Sequence, residues 1–356
     1  MINTRLQKIK RDNNYNFDRS NFLRLDANER IIDFTKKEIK NIKKTINSYN
    51  IQSYPIKRNH IQNQISKKYK INANQISISP GSDSILKYAF EIISEIKGDV
   101  LSLYPTYGMV NVYSKIYKKN IIKVDELNYS LLEDKNIFKK LSLIYFAVPN
   151  MPSGKVVPSK ILKKVLDISS QKKILFIIDE AYIDFSNIKT HLGLIKKYKN
   201  LLILKTFSKY YGLAGLRLGF FASSKRILNL INVVRPPHDL SSLSIEILNF
   251  FLKNNNKSYL NEIKKSKNFI LEISKKNKLR ILMTEANFFH IFIEKKIIKR
   301  IVNLLKRKRI LVKSSFSIDR GSPYLGPINT IRVTIGSVKQ MKYFFSIFNK
   351  IINKLT

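Results

Sequence analysis

The sequence predicts an α/β fold: a mostly parallel sheet flanked by helices, joined to a smaller α+β domain. Three observations predict it. Apolar runs of strand length, rich in β-branched and aromatic residues, stand at 143–148, 174–178 and 201–204. Helix-like segments at 159–169 and around 191–199 separate them, giving strand–helix–strand units of roughly 30 residues, the period of a βαβ crossover. After about residue 240 the pattern changes to charged helical stretches and short strands, as in a separate α+β unit.

In chain order, 76–79 reads as a short strand leading through Pro80, Gly81, Ser82 and Asp83 into a helix over 84–95. A strand at 99–103 ends at Tyr104-Pro105-Thr106-Tyr107. The run at 143–148 leads to Asn150, the run at 174–178 to Asp179 and Glu180, and the run at 201–204 to Thr206, Ser208 and Lys209. Reactive side chains thus gather at the C-terminal ends of strands, where open α/β sheets place their ligands. Further on, a helical stretch over 244–278 precedes strands at 280–283 and 287–293. A basic helix over 294–309, a strand at 310–314, a Gly- and Pro-rich loop over 319–329, a strand at 331–335 and a last helix follow. The expected division is a large domain at 45–245 and a small one formed by 1–44 with 246–356.

A chain of 356 residues has room for such a pair of domains. No run approaches the ~20 apolar residues of a membrane span. The basic start, 1–14, has no apolar run behind it and does not read as a secretory signal, so a cytoplasmic protein is expected. The absence of cysteine excludes disulfides, thiolate nucleophiles and cysteine metal sites. His60, His191, His238 and His290 lie far apart without metal-ligand spacing, so no metal is expected. The formal net charge of +41 raises nucleic acid or an anionic membrane as a partner. The lysines, however, are spread over the whole chain among many Ile and Asn, residues with A/T-rich codons. The basic runs also fall where a helix shows its solvated face. Small molecules, not nucleic acid, are therefore the expected partners.

The densest cluster of chemistry is Lys205-Thr206-Phe207-Ser208-Lys209-Tyr210-Tyr211-Gly212-Leu213-Ala214-Gly215-Leu216-Arg217-Leu218-Gly219. Thr206 and Ser208 offer hydroxyls, the glycines allow close backbone approach, and Arg217 offers a planar fork for phosphate. Alone, Lys209 reads as an exposed lysine. Among these neighbours it reads as an amine presented to an aldehyde, a role in which it must spend time neutral. The combination points to pyridoxal 5'-phosphate.

Asp179 then reads as the carboxylate facing the pyridine nitrogen, which keeps the ring an electron sink. A helix N-cap is its other reading. Tyr182 can hydrogen-bond the phenolic oxygen of the ring or pack in the core. Asn150 can reach the same oxygen or serve only its turn. Gly81, Ser82 and Asp83 open a helix whose N–H groups and dipole would cradle a phosphate, or Ser82 or Asp83 merely caps it. Tyr107 can stack on the cofactor or belong to the core. Arg332 stands between β-branched residues, where a charge needs a partner: an anionic substrate group or a protein carboxylate. Arg235 has no role that the sequence supplies.

Together these residues resemble the fold-type-I pyridoxal-phosphate aminotransferases, and within them the histidinol-phosphate aminotransferase family. Asp179-Glu180-Ala181-Tyr182-Ile183-Asp184-Phe185 and the block from Thr206 to Gly219 carry the resemblance, which covers about residues 25–336. It implies the fold-type-I architecture, with Lys209 as the Schiff-base lysine and Asp179 as partner of the ring nitrogen. Tyr182 and Asn150 would flank the phenolic oxygen, Ser82, Ser208 and Arg217 would hold the phosphate, and Tyr107 would stack. Tyr54 would reach into the neighbouring subunit's site of a homodimer with shared active sites, and Arg332 would grip the substrate's anionic group.

The departures from the family fall on the substrate side. Leu25-Asp26-Ala27-Asn28-Glu29-Arg30, with Asn28, stands for Asn-Glu-Asn-Pro, and Asn150-Met151-Pro152-Ser153-Gly154 for Asn-Pro-Thr-Gly. Lys313 takes the place of a second substrate-binding arginine, and lysine lacks the bidentate fork. The implied reaction is ping-pong amino transfer between glutamate/2-oxoglutarate and a small, phosphorylated amine or keto compound. The rival readings are decarboxylation of an O-phospho-amino acid on the same cofactor, and a basic nucleic-acid-binding protein with a decayed site.

Overall fold

The structure, a computed structural model, describes residues 4–9, 17–55, 58–253, 257–314 and 329–355. Among them, the strands in chain order are β1 (Leu23–Leu25), β2 (Ile76–Ser79), β3 (Asp99–Tyr104), β4 (Ile121–Asp125), β5 (Leu141–Ala147) and β6 (Leu175–Asp179). β7 (Leu201–Thr206), β8 (Gly219–Ser223), β9 (Ile281–Met283), β10 (Phe288–Phe292), β11 (Ile310–Ser314) and β12 (Thr330–Thr334) complete them.

Seven strands form one sheet in the order β2-β8-β7-β6-β5-β3-β4. β4, β3, β5, β6 and β7 run parallel; β8 is antiparallel to both β7 and β2. Every residue of β5, β6 and β7 is buried, which explains the apolar runs that make up most of them: helices cover a parallel sheet on both faces. The helix Ser159–Gln171, between β5 and β6, buries Leu162, Val165 and Leu166, the i, i+3, i+4 stripe of a surface helix. From β3 the chain moves outward to β4 and then returns to the other side of β3 as β5, so the strand order reverses there, a ligand-binding position in such sheets.

The second sheet runs β1-β11-β12-β10-β9, antiparallel except for the β1–β11 pair. Its core joins Phe288, Ile291, Ile331 and Val333 to Phe344, Phe345 and Phe348 of the closing helix Val338–Ile352. Ser337 and Gln340 start that helix with a reciprocal capping box. Leu25 of β1 belongs to the same core, so the N-terminal segment packs with residues almost 300 positions away.

Several elements differ from expectation. The helix expected at 84 starts at Gly81. The stretch 244–278 holds two helices, Ser242–Lys253 and Lys257–Lys276. The segment around 191–199 is a 3-10 helix, His191–Lys196. β4 was missed because it is a partly exposed edge strand, and β8 because it opens on the last glycine of the Gly-rich block. The basic helix, Lys295–Arg307, buries Ile298, Ile301 and Leu305 and turns Lys295, Lys299 and Arg300 to solvent. The loop expected over 319–329 lies, except for Asn329, outside the described residues. Among the described residues no helix is long and apolar enough to cross a membrane.

Candidate active site

A cavity of about 650 Å³ is walled by residues of both sheets, beyond the C-terminal ends of β3, β6 and β7. Asp179, the last residue of β6, is only 6% exposed at its floor. The Tyr145 hydroxyl on β5 donates to its Oδ2 at 2.9 Å and the Ala181 N–H to its Oδ1 at 3.0 Å. Burial pushes this carboxyl up to about 6; the two hydrogen bonds pull it down, and Asp83 and Glu180 push it further up. Among the described residues no cation pairs with it. A buried acid in this state is suited to a protonated ring nitrogen.

Lys209 follows β7 by three residues and lines the cavity. Its Nζ donates to Ala27 O at 2.9 Å and lies 5.8 Å from the centre of the Tyr182 ring. Tyr182 combines both of its expected roles. Its ring packs edge-on against Phe288 in the second core, while its hydroxyl, facing the cavity, accepts from Asn28 Nδ2 at 3.0 Å. Asn28 is fully buried and left-handed (φ 54°), a conformation that asparagine tolerates. Thr334 Oγ1 accepts its N–H, and its carbonyl accepts from Asn287 Nδ2.

At the opposite wall the helix Gly81–Ile92 begins. Its cap position is Pro80, which makes no side-chain cap, so neither Ser82 nor Asp83 serves as N-cap. Gly81 has φ +78°, and a Cβ there would lie 3.2 Å from Arg217 Nη2. Arg217, left-handed at φ 51°, therefore sits over the helix N-terminus, 3.6 Å from Asp83 Oδ2. Thr206 and Ser208 line the same wall, with the Ser208 N–H on Thr206 Oγ1 at 3.1 Å. Tyr107 also lines it and donates to Asp83 Oδ1 at 2.6 Å; burial and the adjacent Asp83 hold its hydroxyl well above the usual phenol range.

On the second sheet, Arg332 of β12 and Lys313 of β11 are register partners, and both line the cavity. Arg332 is 4% exposed. Its Nη2 donates to Asp26 O at 2.7 Å, and its Nη1 points at Met151 Sδ at 3.5 Å.

Two expected residues are not brought to this wall. Asn150 is buried behind it, where its Nδ2 donates to Pro105 O at 2.9 Å and Glu126 Oε2 at 2.6 Å, so both amide hydrogens are engaged. Tyr54 is 68% exposed and stacks on His238 at 4.0 Å. Arg235, unassigned from sequence, clamps Asp239 through two nitrogens and reaches Ser77 Oγ. Sequence reasoning missed Tyr145, Met151 and the Ala27 carbonyl. Only Tyr145 carried a signal: a tyrosine inside an apolar strand needs a partner for its hydroxyl.

The donor set fits pyridoxal 5'-phosphate. A buried acid suits the ring nitrogen, an amine and a phenol line the same cavity, and a helix N-terminus with an arginine and two hydroxyls suits the ester phosphate. Among the described residues no cluster could hold a metal ion.

The chain matches the family model of aminotransferase class I and II over residues 13–348. The histidinol-phosphate aminotransferase of Flavobacterium psychrophilum is 32% identical over 308 residues, covering 82% of this chain and 84% of that protein. That of Caldanaerobacter subterraneus subsp. tengcongensis is 26% identical over 98% of each. The crystal structure of histidinol-phosphate aminotransferase from Sinorhizobium meliloti in complex with pyridoxal-5'-phosphate shares the fold at a TM-score of 0.82 and 19% identity, covering 94% of this chain and 92% of that one.

Proposed function

The chain belongs to the class I and II aminotransferases, and on that premise we propose that it is a pyridoxal-phosphate-dependent transaminase of the histidinol-phosphate aminotransferase type. The observation that carries the proposal is the convergence on one cavity of Asp179 at the end of β6 with Lys209 and Arg217 from the segment between β7 and β8. When bound, the cofactor supplies an aldehyde that captures amines and a ring that draws electrons from the substrate's α-carbon. Asp179 keeps the proton on the ring nitrogen. Lys209 Nζ would anchor the cofactor and, when free, would take the proton from the substrate's α-carbon as base and deliver it as acid to the cofactor's C4′ carbon. Tyr182, oriented by Asn28, would hydrogen-bond the phenolic oxygen. The first N–H groups of the helix Gly81–Ile92, with Ser82, Thr206, Ser208 and Arg217, would hold the phosphate, and Tyr107 would stack on the ring.

Arg332 and Lys313, side by side on adjacent strands, hold the substrate's anionic end; a fork beside a point charge suits a phosphate or carboxylate. Residues 45–245 act as the cofactor-binding unit, and 1–44 with 246–356 supply the substrate side. The reading also makes the protein a cytoplasmic homodimer. Ile46, Tyr49, Ile51 and Tyr54 are all exposed, and a partner covering them would bring Tyr54 towards its own cavity.

The test is glutamate formation from 2-oxoglutarate with histidinol phosphate as donor. The expected result is turnover that falls roughly a thousandfold in Lys209→Ala. Carbon dioxide release from an O-phospho-amino acid, without any keto acid acceptor, would assign the decarboxylase reading instead.

A further inference from the structure

On the opposite face of the seven-stranded sheet lies a buried ionic cluster that the reading above does not use. Successive strand residues face opposite ways, so the turn of Asp179 towards the cavity sends Glu180 away from it. Likewise Thr206 lines the cavity and Lys205 does not. Glu180 is 1% exposed and Lys205 2%. Lys205 Nζ lies 3.4 Å from Glu180 Oε2 and 3.4 Å from Asp184 Oδ2. The His191 backbone N–H donates to Glu180 Oε1 at 2.6 Å, the His191 Nδ1 lies 2.9 Å from the same oxygen, and Thr190 Oγ1 donates to Oε2 at 2.5 Å. The Glu180 N–H also donates to Leu204 O at 2.8 Å. One carboxylate thus joins the end of β6, the end of β7 and the segment that opens His191–Lys196.

Stability does not account for such a pair. Desolvating two charges costs several kcal/mol per ion, and a well-packed apolar pair of similar volume is often as stable or more so. What the pair supplies is a fixed geometry at the two strand ends that carry Asp179 and, three residues after Thr206, Lys209.

We propose that Lys205 and Glu180 are positioning residues: their ion pair locks the ends of β6 and β7 together, so that Asp179 and Lys209 meet across the cavity on the other face. This rests on the reading of that cavity as a pyridoxal-phosphate site. The charge balance works in the same direction. Burial pushes Glu180 up, but Lys205 and His191 outweigh it and hold the carboxyl below its ordinary range. Glu180 already joins burial and the Asp83 charge in raising Asp179, against only Tyr145 and Ala181, and without Lys205 that push would lose its counter-charge. The other groups facing Lys205 are Asp184 and the Tyr69 ring, 5.2 Å away, with Lys68 next to Tyr69 and bonded to Tyr211.

The experiment is a double-mutant cycle of Lys205→Met and Glu180→Gln, read by titrating pyridoxal phosphate through its visible absorption and by amide hydrogen exchange of the cofactor-free protein over 204–211. Each single variant is expected to bind the cofactor roughly tenfold more weakly, with the double variant no weaker than the worse single. Exchange over 204–211 is expected to rise roughly tenfold in all three. Cofactor affinity equal to wild type with only a lowered melting temperature, or losses that simply add, would overturn the proposal. The double variant leaves neither member of the pair behind as an unpaired buried charge, only the partly exposed Asp184 without its lysine, which guards against a single variant that fails to fold. Should wild type itself not bind the cofactor, the reading of the cavity falls. The exchange data then decide the pair alone: acceleration confined to 204–211 supports it, and an unchanged pattern overturns it.

Discussion

Asp179 is the side chain whose surroundings explain most about the cavity. Its folded-state value of about 6 lies above its ordinary 3.8, so the folded protein without cofactor binds this proton more tightly than the unfolded chain does. By linkage the group's stabilising contribution is fully present below about pH 4 and lost as pH rises through about 6. As pH falls from about 7 to 4, the difference in unfolding free energy between wild type and Asp179→Asn should therefore shift towards wild type by up to about 3 kcal/mol. Urea denaturation of the two cofactor-free proteins checks this, and a difference that stays flat with pH contradicts it. At this scale the sequence foretold that Asp179, Lys209 and Arg217 would line one cavity. It was not readable at Asn150. The direction of that amide is decided by Pro105 and Glu126, 45 and 24 residues away, and no local pattern reports such partners.

Among the elements, β5, β6 and β7 were legible because burial on both faces demands continuous apolar sequence. β1, three residues long, forms only when β11 pairs with it, so its sequence carries no signal of its own. The helix Gly81–Ile92 shows how an element is aimed at a ligand. Its first residue needs positive φ and leaves room for Arg217. Gly81→Ala is predicted to destabilise the protein by about 1–2 kcal/mol and to weaken pyridoxal phosphate binding. Thermal denaturation and cofactor titration together check this; unchanged values in both would show that the cradle does not depend on that glycine. The basic helix Lys295–Arg307 packs its apolar stripe into the core and offers mainly charge to solvent. Replacing Lys295, Lys299 and Arg300 by glutamine should leave kcat/KM within about twofold, because isolated solvated charges contribute little. A large loss would make the charge functional.

In the molecule as a whole, two sheets with separate cores face one cavity, and neither sheet holds a complete set of groups. The first supplies the acid, the amine and the helix N-terminus; the second, with the N-terminal segment, supplies Asn28, Lys313 and Arg332. Sequence periodicity foretold that both units exist, since each has its own pattern. It did not foretell the strand β1 itself or that Tyr182 bridges the two, because those are packing events between distant segments. The account stands on a single cofactor held between Asp179, Lys209 and Arg217. Borohydride reduction of the protein loaded with pyridoxal phosphate, followed by peptide mass spectrometry, tests this most directly. The account predicts a stable pyridoxyl group on Lys209 alone; a label on another lysine, or none at all, would contradict it.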